Sequence, residues 1–250
     1  MPAWAGVLYA FLYLPIIVIV VFSFESSTIP GLPFETFTLD WYRKALSDGE
    51  LLEGLRNTLY IATAVGIVST VVGLAAAREL ASRRFPGKGA LLLVLLAPLV
   101  VPPIVLGIGL LTMFDYLGIE LSRTAVVIAH CVFGISFSTL IIYARLLDFR
   151  QSLLEAARDL GAGEWRVFVE VVLPLIFPAL VAAFLLSFTL SFDEFIVAWL
   201  VIGFDTTLPV AIWNALRYGI TPEINAIATL VLVVSFAVSV IGQLLVFRRV

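Results

Sequence analysis

The sequence predicts an all-α membrane protein that crosses the bilayer six times. Composition is the first reason: 62% of residues are hydrophobic and 13% charged, with a mean hydropathy of +1.11. An ordinary soluble domain carries about twice that charge. The second reason is the length of the apolar runs, about 20 residues each, which is what a helix needs to cross hydrocarbon. The third is their texture. They are continuous and lack the period-2 alternation of a barrel strand. Lipid then leaves the helix as the structure that satisfies every backbone group internally.

The first run, roughly 4–24, has no basic flank before it and no small-residue cleavage site after it, so it reads as a retained span. Pro15 is expected to kink it. The start at Met1-Pro2 lacks a basic lead-in, which leaves room for an earlier beginning. A polar stretch follows, roughly 25–53, with Pro30-Gly31 and Pro33 as turn signals. Within it, Asp40-Trp41-Tyr42-Arg43 reads as a short interfacial helix, its aromatic pair suited to the headgroup level. The second span, roughly 55–77, is rich in Gly, Ala, Ser and Thr. Small residues let helices approach closely, so this span is expected to face another helix. A short basic loop leads to the third span, roughly 90–114, which holds Pro98, Pro102, Pro103, Gly107 and Gly109. Interrupted helices persist in membranes where protein or a water-filled cavity covers the freed backbone. The fourth span is roughly 124–147, the fifth 175–202 and the sixth 224–247. No internal repeat is evident.

Six spans put both termini on one side. Loops 78–89 and 145–170 and the C-terminus hold ten of the fifteen Lys and Arg residues; the other face holds five. The positive-inside rule makes the first side cytoplasmic. The net charge of -3 gives no basic face for nucleic acid. The lone Cys131 excludes an internal disulfide and a multi-cysteine metal site. No phosphate-binding glycine loop is present, so ATP chemistry would belong to another chain. No cofactor is called for.

The longest segment of the second half that belongs in water lies between spans four and five. Ser152-Leu153-Leu154-Glu155 reads as a capping box. Gly161 supplies a helix end and Gly163 adds slack. Residues 164–172 are expected to form a second helix, with Pro174 separating it from span five or sitting in that span's first turn. Physics alone leaves two readings: a plain connector, or a charged hairpin that touches something outside the bilayer. The acids of span five are the other notable feature. Asp193 and Glu194 sit inside a predicted span, where an unpaired carboxylate costs a few kcal/mol or more, so such residues face a bundle interior or cavity. A straight helix places Asp193 about 30 Å beyond Leu173, toward the outer half. Neighbouring helical side chains diverge by about 100°, so the two carboxylates need not share a face. Asp193 is favoured as the functional one, with Glu194 second; the plainer alternative is that one of the two pairs with an arginine or caps a break in the span. His130 and Cys131 do not make a catalytic pair, because adjacent side chains on one helix diverge and no third partner is evident. His130 reads as a packed or pore-lining residue. Asp115 and Glu120 read as solvated, and Trp4, Tyr9, Trp41 and Tyr42 as interface anchors. Arg217 and Tyr218 lie in an outer loop where they could meet a docked partner.

Glu155-Ala156-Ala157, three residues, Gly161, nine residues, then Val171-Val172-Leu173-Pro174 resembles the signature loop of binding-protein-dependent ABC importer permeases. Val171 stands where that pattern usually has Ile. Residues 187–194, Thr207-Leu208-Pro209 and 221–230 further resemble the spermidine/putrescine branch, in its second, C-type subunit, although that branch more often has Asp-Asp at 193–194. The resemblance implies one permease domain over 1–250 with a cytoplasmic coupling loop about 148–174. It implies that Glu155, Ala156, Ala157 and Gly161 dock into a cytosolic ATPase, present in two copies. It implies a second, distinct permease chain, an extracytoplasmic solute-binding protein, and multi-pass residence in a bacterial inner membrane. For a polyamine cargo, Asp193 and Glu194 would supply charge, and Phe188, Phe192, Trp199 and Trp213 aromatic walls. Phe192 and Trp213 are the preferred walls. The hairpin does not distinguish this cargo from an opine, an organic phosphonate or ferric iron. Two readings from other classes remain: a proton-coupled secondary transporter using Asp193, and a membrane-embedded peptidase, which would need paired catalytic groups at matching depth.

Overall fold

The computed structural model describes residues 3–27, 31, 33–82, 85–148, 151–217 and 222–247. Among these residues the chain is helical apart from its connections, with one isolated antiparallel bridge between Glu25 and Phe37. It divides into two compact units, Met1–Arg56 with Thr206–Val238, and Asn57–Asp205 with Ser239–Val250.

In the first unit, α1 (Ala3–Phe22) runs through Pro15. Its candidate span, Trp4–Phe22, has no residue buried inside the chain, as expected of a helix that meets lipid or another subunit on all sides. The short helix expected at Asp40–Arg43 is the amphipathic α2 (Asp40–Ser47). Trp41 Nε1 donates to the Glu25 carbonyl at 2.7 Å, and Tyr42 and Ser23 share a hydroxyl hydrogen bond at 2.6 Å. These bonds tie α2 to the end of α1. The unit also holds the start of α3 (Gly49–Ser82), α11 (Leu208–Leu216) and most of α12 (Pro222–Phe247). Gly54 meets the backbone of Thr207 and Leu208 there; a Cβ would come within 3.1 Å of both.

The second unit holds the rest of α3, then α4 (Lys88–Leu96), α5 (Pro103–Leu117), α6 (Arg123–Leu147), α7 (Gln151–Asp159), α8 (Glu164–Val167), α9 (Leu173–Asp193) and α10 (Ile196–Val201). The small residues of α3 do what their size allows. A Cβ on Gly73 would fall 2.7 Å from the Ser138 Cβ of α6, so the two helices touch at backbone distance. The third predicted span is sharply broken. The helical segments Lys88–Leu99 and Pro103–Leu117 meet at 102°. Pro102 is extended at φ -56 and ψ 137, and Pro103 starts α5; neither can donate to the preceding turn. α6 starts at the cap Ser122, whose Oγ accepts from Ala125 N at 3.3 Å.

Two expectations are corrected. Span five does not run unbroken over 175–202: α9 stops at Asp193 and α10 restarts at Ile196. Of the two places expected for Pro174, the structure has the second, in the first turn of α9. α8 passes through a π-helical turn, Phe168–Val172, directly into α9, and Glu164–Asp193 is one continuous helical run of 30 residues. Pro174 has no N–H for the Glu170 carbonyl, and the wider turn ahead of it accommodates that loss without ending the helix. Second, the capping box does not form. α7 already begins at Gln151, which puts Ser152 inside the first turn. Among the described residues, four helices are long and apolar enough to span a membrane, or five if the bent pair is counted as one span. The sixth predicted span coincides with the 26-residue α12. Tyr218 lies outside the described residues, as do Arg83, Arg84, Arg150, Arg248 and Arg249.

Candidate functional site

The structure offers two places of interest in the second unit, at opposite ends of α9. The first is the hairpin. α7 ends in a left-handed glycine: Gly161 has φ +84. Its N–H donates to the Arg158 carbonyl at 2.8 Å, and Ala162 N–H donates to the Ala157 carbonyl at 3.1 Å. This pair of bonds is a Schellman ending. A Cβ on Gly161 would meet nothing within 4 Å, so the glycine is required by backbone conformation and leaves an open surface. Across the turn, Arg158 grips Glu164 with two hydrogen bonds, Nε to Oε1 at 2.6 Å and Nη2 to Oε2 at 3.2 Å. Those bonds hold the Glu164 carboxyl below its ordinary range and raise the Arg158 guanidinium. Glu155 and Ala156 are exposed, and Ala157 is half-buried. Leu153, Ala156 and Leu160 fall at i, i+3 and i+7, one stripe of the helix, and Leu160 is 90% exposed. Trp165 on α8 is exposed as well. The hairpin thus presents an apolar stripe framed by charge and left exposed among the described residues.

The second place is the break between α9 and α10. The Glu194 carboxylate turns back on the start of α10 and accepts from three backbone N–H groups: Ile196 at 3.1 Å, Val197 at 2.8 Å and Ala198 at 3.1 Å. These are orphan donors of a helix N-terminus, and a negative charge suits them. His130 of α6 is buried beside the break and bonds the α9 side of it. Its Nδ1 lies 2.8 Å from Ser191 Oγ, and its Nε2 lies 3.4 Å from Glu194 Oε2. Below it, Ser138 and Ser187 share a bond at 2.9 Å, and Ser187 donates to the Gly134 carbonyl at 3.2 Å. Residues 130, 134 and 138 on α6 and 187 and 191 on α9 recur every four positions, so they form a polar seam between the two helices.

Asp193 behaves differently from its neighbour. It is exposed and makes no hydrogen bond or ion pair among the described residues. It closes the carbonyl end of α9, where the helix dipole is negative. The two carboxylates therefore diverge, as adjacent positions must. Phe192 is buried at 4% exposure and stacks on Phe188 at 6.0 Å, while Trp199 is exposed. Trp213 belongs to α11 in the first unit, where the Arg217 guanidinium lies 5.8 Å from its ring centroid. Asp193, Glu194 and Phe192 are brought together by sequence adjacency; of these, Asp193 presents an open functional group. The pattern left open that one of the two acids caps a break; that it is Glu194, on three backbone donors and beside His130, is seen in the structure. An acid just before the apolar run 195–202 is the signal that could have marked a helix start.

This chain belongs to the binding-protein-dependent transport system inner membrane components, whose family model matches residues 69–250. It is thus a multi-pass inner-membrane component of a transport system that relies on a binding protein. Within the family it is 37% identical to the spermidine/putrescine transport system permease protein PotC of Haemophilus influenzae, over 97% of this chain and 95% of that relative. It is 34% identical to the putrescine transport system permease protein PotI of Escherichia coli, over 94% and 85% of the two chains. A solved bacterial ABC transporter that imports the acidic polysaccharide alginate shares the fold, with a TM-score of 0.75 at 13% identity, covering 98% of this chain and 93% of the other.

Proposed function

We propose that this chain is one permease half of an ABC importer for polyamines. The observation that carries the cargo is Asp193: an exposed, unpaired carboxylate at the negative end of a broken helix, in a chain similar over nearly its whole length to a spermidine/putrescine permease. A polyamine ammonium has three donors and a full charge, and it is matched by a carboxylate together with the carbonyls at a helix end. Trp199, in the same unit, supplies an exposed aromatic face that a polymethylene chain or an ammonium can use. Glu194 acts as the cap that keeps Asp193 at a helix end.

The hairpin is the coupling loop in this reading. Glu155, Ala156, Ala157 and Gly161 dock on one of two copies of a cytosolic ATPase. The docked side and both termini are cytoplasmic, in keeping with the excess of Arg and Lys on that side. The remaining partners are a second, distinct permease chain and an extracytoplasmic solute-binding protein. The whole chain acts as one permease domain, with the coupling loop at about 148–174. ATP-driven closure moves the hairpin, and the spans alternate access around the path.

The test is reconstitution with the ATPase, the second permease and the binding protein in proteoliposomes. Expected is ATP-dependent uptake of labelled spermidine or putrescine, stimulated by the loaded binding protein. Uptake by this chain alone, driven by a proton gradient, would sink the ABC reading. Uptake confined to an anionic solute would sink the polyamine reading and leave the ABC reading standing.

A further inference from the structure

The hairpin continues through the π turn into α9, so any displacement of it passes into α9 along the backbone. α3 has no such path, because α4, α5 and α6 intervene in the chain. Yet α3 reaches the same place. Near its end Ala77 is fully buried in a cluster with Ile142 and Ile176, against which Leu146 and Val172 are packed. One residue further on, the packing gives way to a cavity of about 590 Å³, lined by α3, α7, α8 and the π turn, with Arg78, Leu154, Arg158 and Glu164 among its walls. The Arg78 guanidinium carbon lies 4.3 Å from the ring centroid of Phe168, the first residue of the π turn. That distance is well inside the range for a cation over an aromatic face. A planar guanidinium can stack on the ring and keep its charge directed elsewhere, which an ammonium cannot. The charge of Arg78 also contributes to holding the Glu164 carboxyl low, behind the larger effect of Arg158.

We propose that Arg78 is the strut that carries movement of the hairpin into α3, so that α3 and α9 move together when the ATPase closes. Phe168 is its seat. The position suits this role. The ring sits at the junction of α8 with the π turn, where the hairpin passes into the span, and Arg78 reaches it from α3 at the wall of the cavity. The proposal makes Arg78 a positioning residue that acts through Phe168. It rests on the hairpin being the ATPase-docking element.

The experiment uses the assembled transporter in proteoliposomes, with wild-type chain, Arg78→Gln, Arg78→Lys, Phe168→Leu and the Arg78→Gln/Phe168→Leu pair. The readout is labelled spermidine taken up per ATP hydrolysed, together with recovery of the ATPase on purification. Arg78→Gln and Phe168→Leu are each expected to lower that ratio about two- to fivefold while ATP hydrolysis persists. Arg78→Lys should fall between wild type and Arg78→Gln, and the pair should be no worse than the poorer single variant, because both remove one contact. An unchanged ratio in both single variants overturns the proposal. So does loss of the ATPase from purified Arg78→Gln transporter, which would make Arg78 part of the docking surface. If the ATPase fails to bind the wild-type chain, the docking role itself is wrong, an outcome separate from either of these.

Discussion

The two ends of α9 solve opposite problems. At its start the chain stays helical through a proline: the π turn Phe168–Val172 absorbs the missing N–H of Pro174, and the hairpin and span form one continuous run. At its finish the chain stops with no proline or glycine in sight. Glu194-Phe195 interrupts the helix, and the interruption is held by a carboxylate on three backbone donors, with His130 of α6 3.4 Å from that carboxylate. A continuous helix transmits displacement, and a capped break presents backbone polar groups and a charge. On the function proposed above, the same helix has a mechanical end and a chemical end. Substitutions at the first should change how much work arrives, and substitutions at the second should change what is carried.

The largest expected effect is at the mechanical end. Gly161→Val forces a β-branched residue into the left-handed region, which costs roughly 1–2 kcal/mol or more even without a clash. It also fills a surface that is open in this chain. Uptake should fall about tenfold or further while the protein still inserts and its half-saturating substrate concentration stays put. Gly161→Ala, with less bulk in the same conformation, should retain more activity, and this separates the backbone requirement from the docking surface. Equal loss in both variants would assign the whole effect to the turn.

At the chemical end, Asp193→Asn removes one full charge and leaves the shape. For a cationic substrate the half-saturating concentration should rise about tenfold, the loss expected from one charge-assisted bond. Insertion and ATPase binding should be unaffected. Unchanged uptake kinetics would take Asp193 out of the path.

How far the sequence reaches differs between these two ends for a physical reason. The hairpin was legible because its signals are local: a glycine just past a helix end, a charged stretch between apolar runs, and a fixed spacing to Leu173-Pro174. The same holds for the broken third span, where Pro102 and Pro103 announce the break. The break at Asp193 was legible only as an alternative, one of the two acids capping a break. Which acid does so depends on Glu194 folding onto the start of α10, beside His130 of α6, more than sixty positions away in sequence. Apolar periodicity simply runs on through 175–202. Pro174 left two readings open, because nothing in the pattern distinguishes a proline in a first turn from a terminating one, and the structure has it in the first turn of α9. The capping box at Ser152 failed because α7 starts at Gln151, two residues before the first helical position that its motif implies.

Glu194→Ala should act on stability before specificity. It leaves three buried or half-buried N–H groups without an acceptor, a cost of about 1–3 kcal/mol after local rearrangement. The unfolding temperature in detergent should drop accordingly. Glu194→Gln keeps an acceptor oxygen and should recover part of the loss. If Glu194→Ala instead raises the half-saturating concentration as much as Asp193→Asn does, with stability intact, then Glu194 touches substrate and the division of labour between the two acids is wrong.

The smallest effect is the one that tests the turn without touching its surface. Arg158 holds the Glu164 carboxyl below its ordinary value near 4.5, chiefly through its hydrogen bonds. A carboxyl depressed in the folded state adds stability above the unfolded value, and that stability is lost as pH falls through the lower folded value. The α7–α8 turn should therefore loosen only in the acid range below about pH 4.5 and be insensitive to pH around neutrality. Both groups are solvent-exposed, so salt should mask the effect as well. Amide hydrogen exchange at 160–164, followed against pH, should show faster opening at the acid end in the wild-type chain. Glu164→Gln should flatten that profile while leaving the Gly161 ending in place. An identical acid profile in both chains would mean that the Schellman ending alone holds the turn, and that the mechanical end of α9 owes its shape to Gly161 without the help of the ion pair.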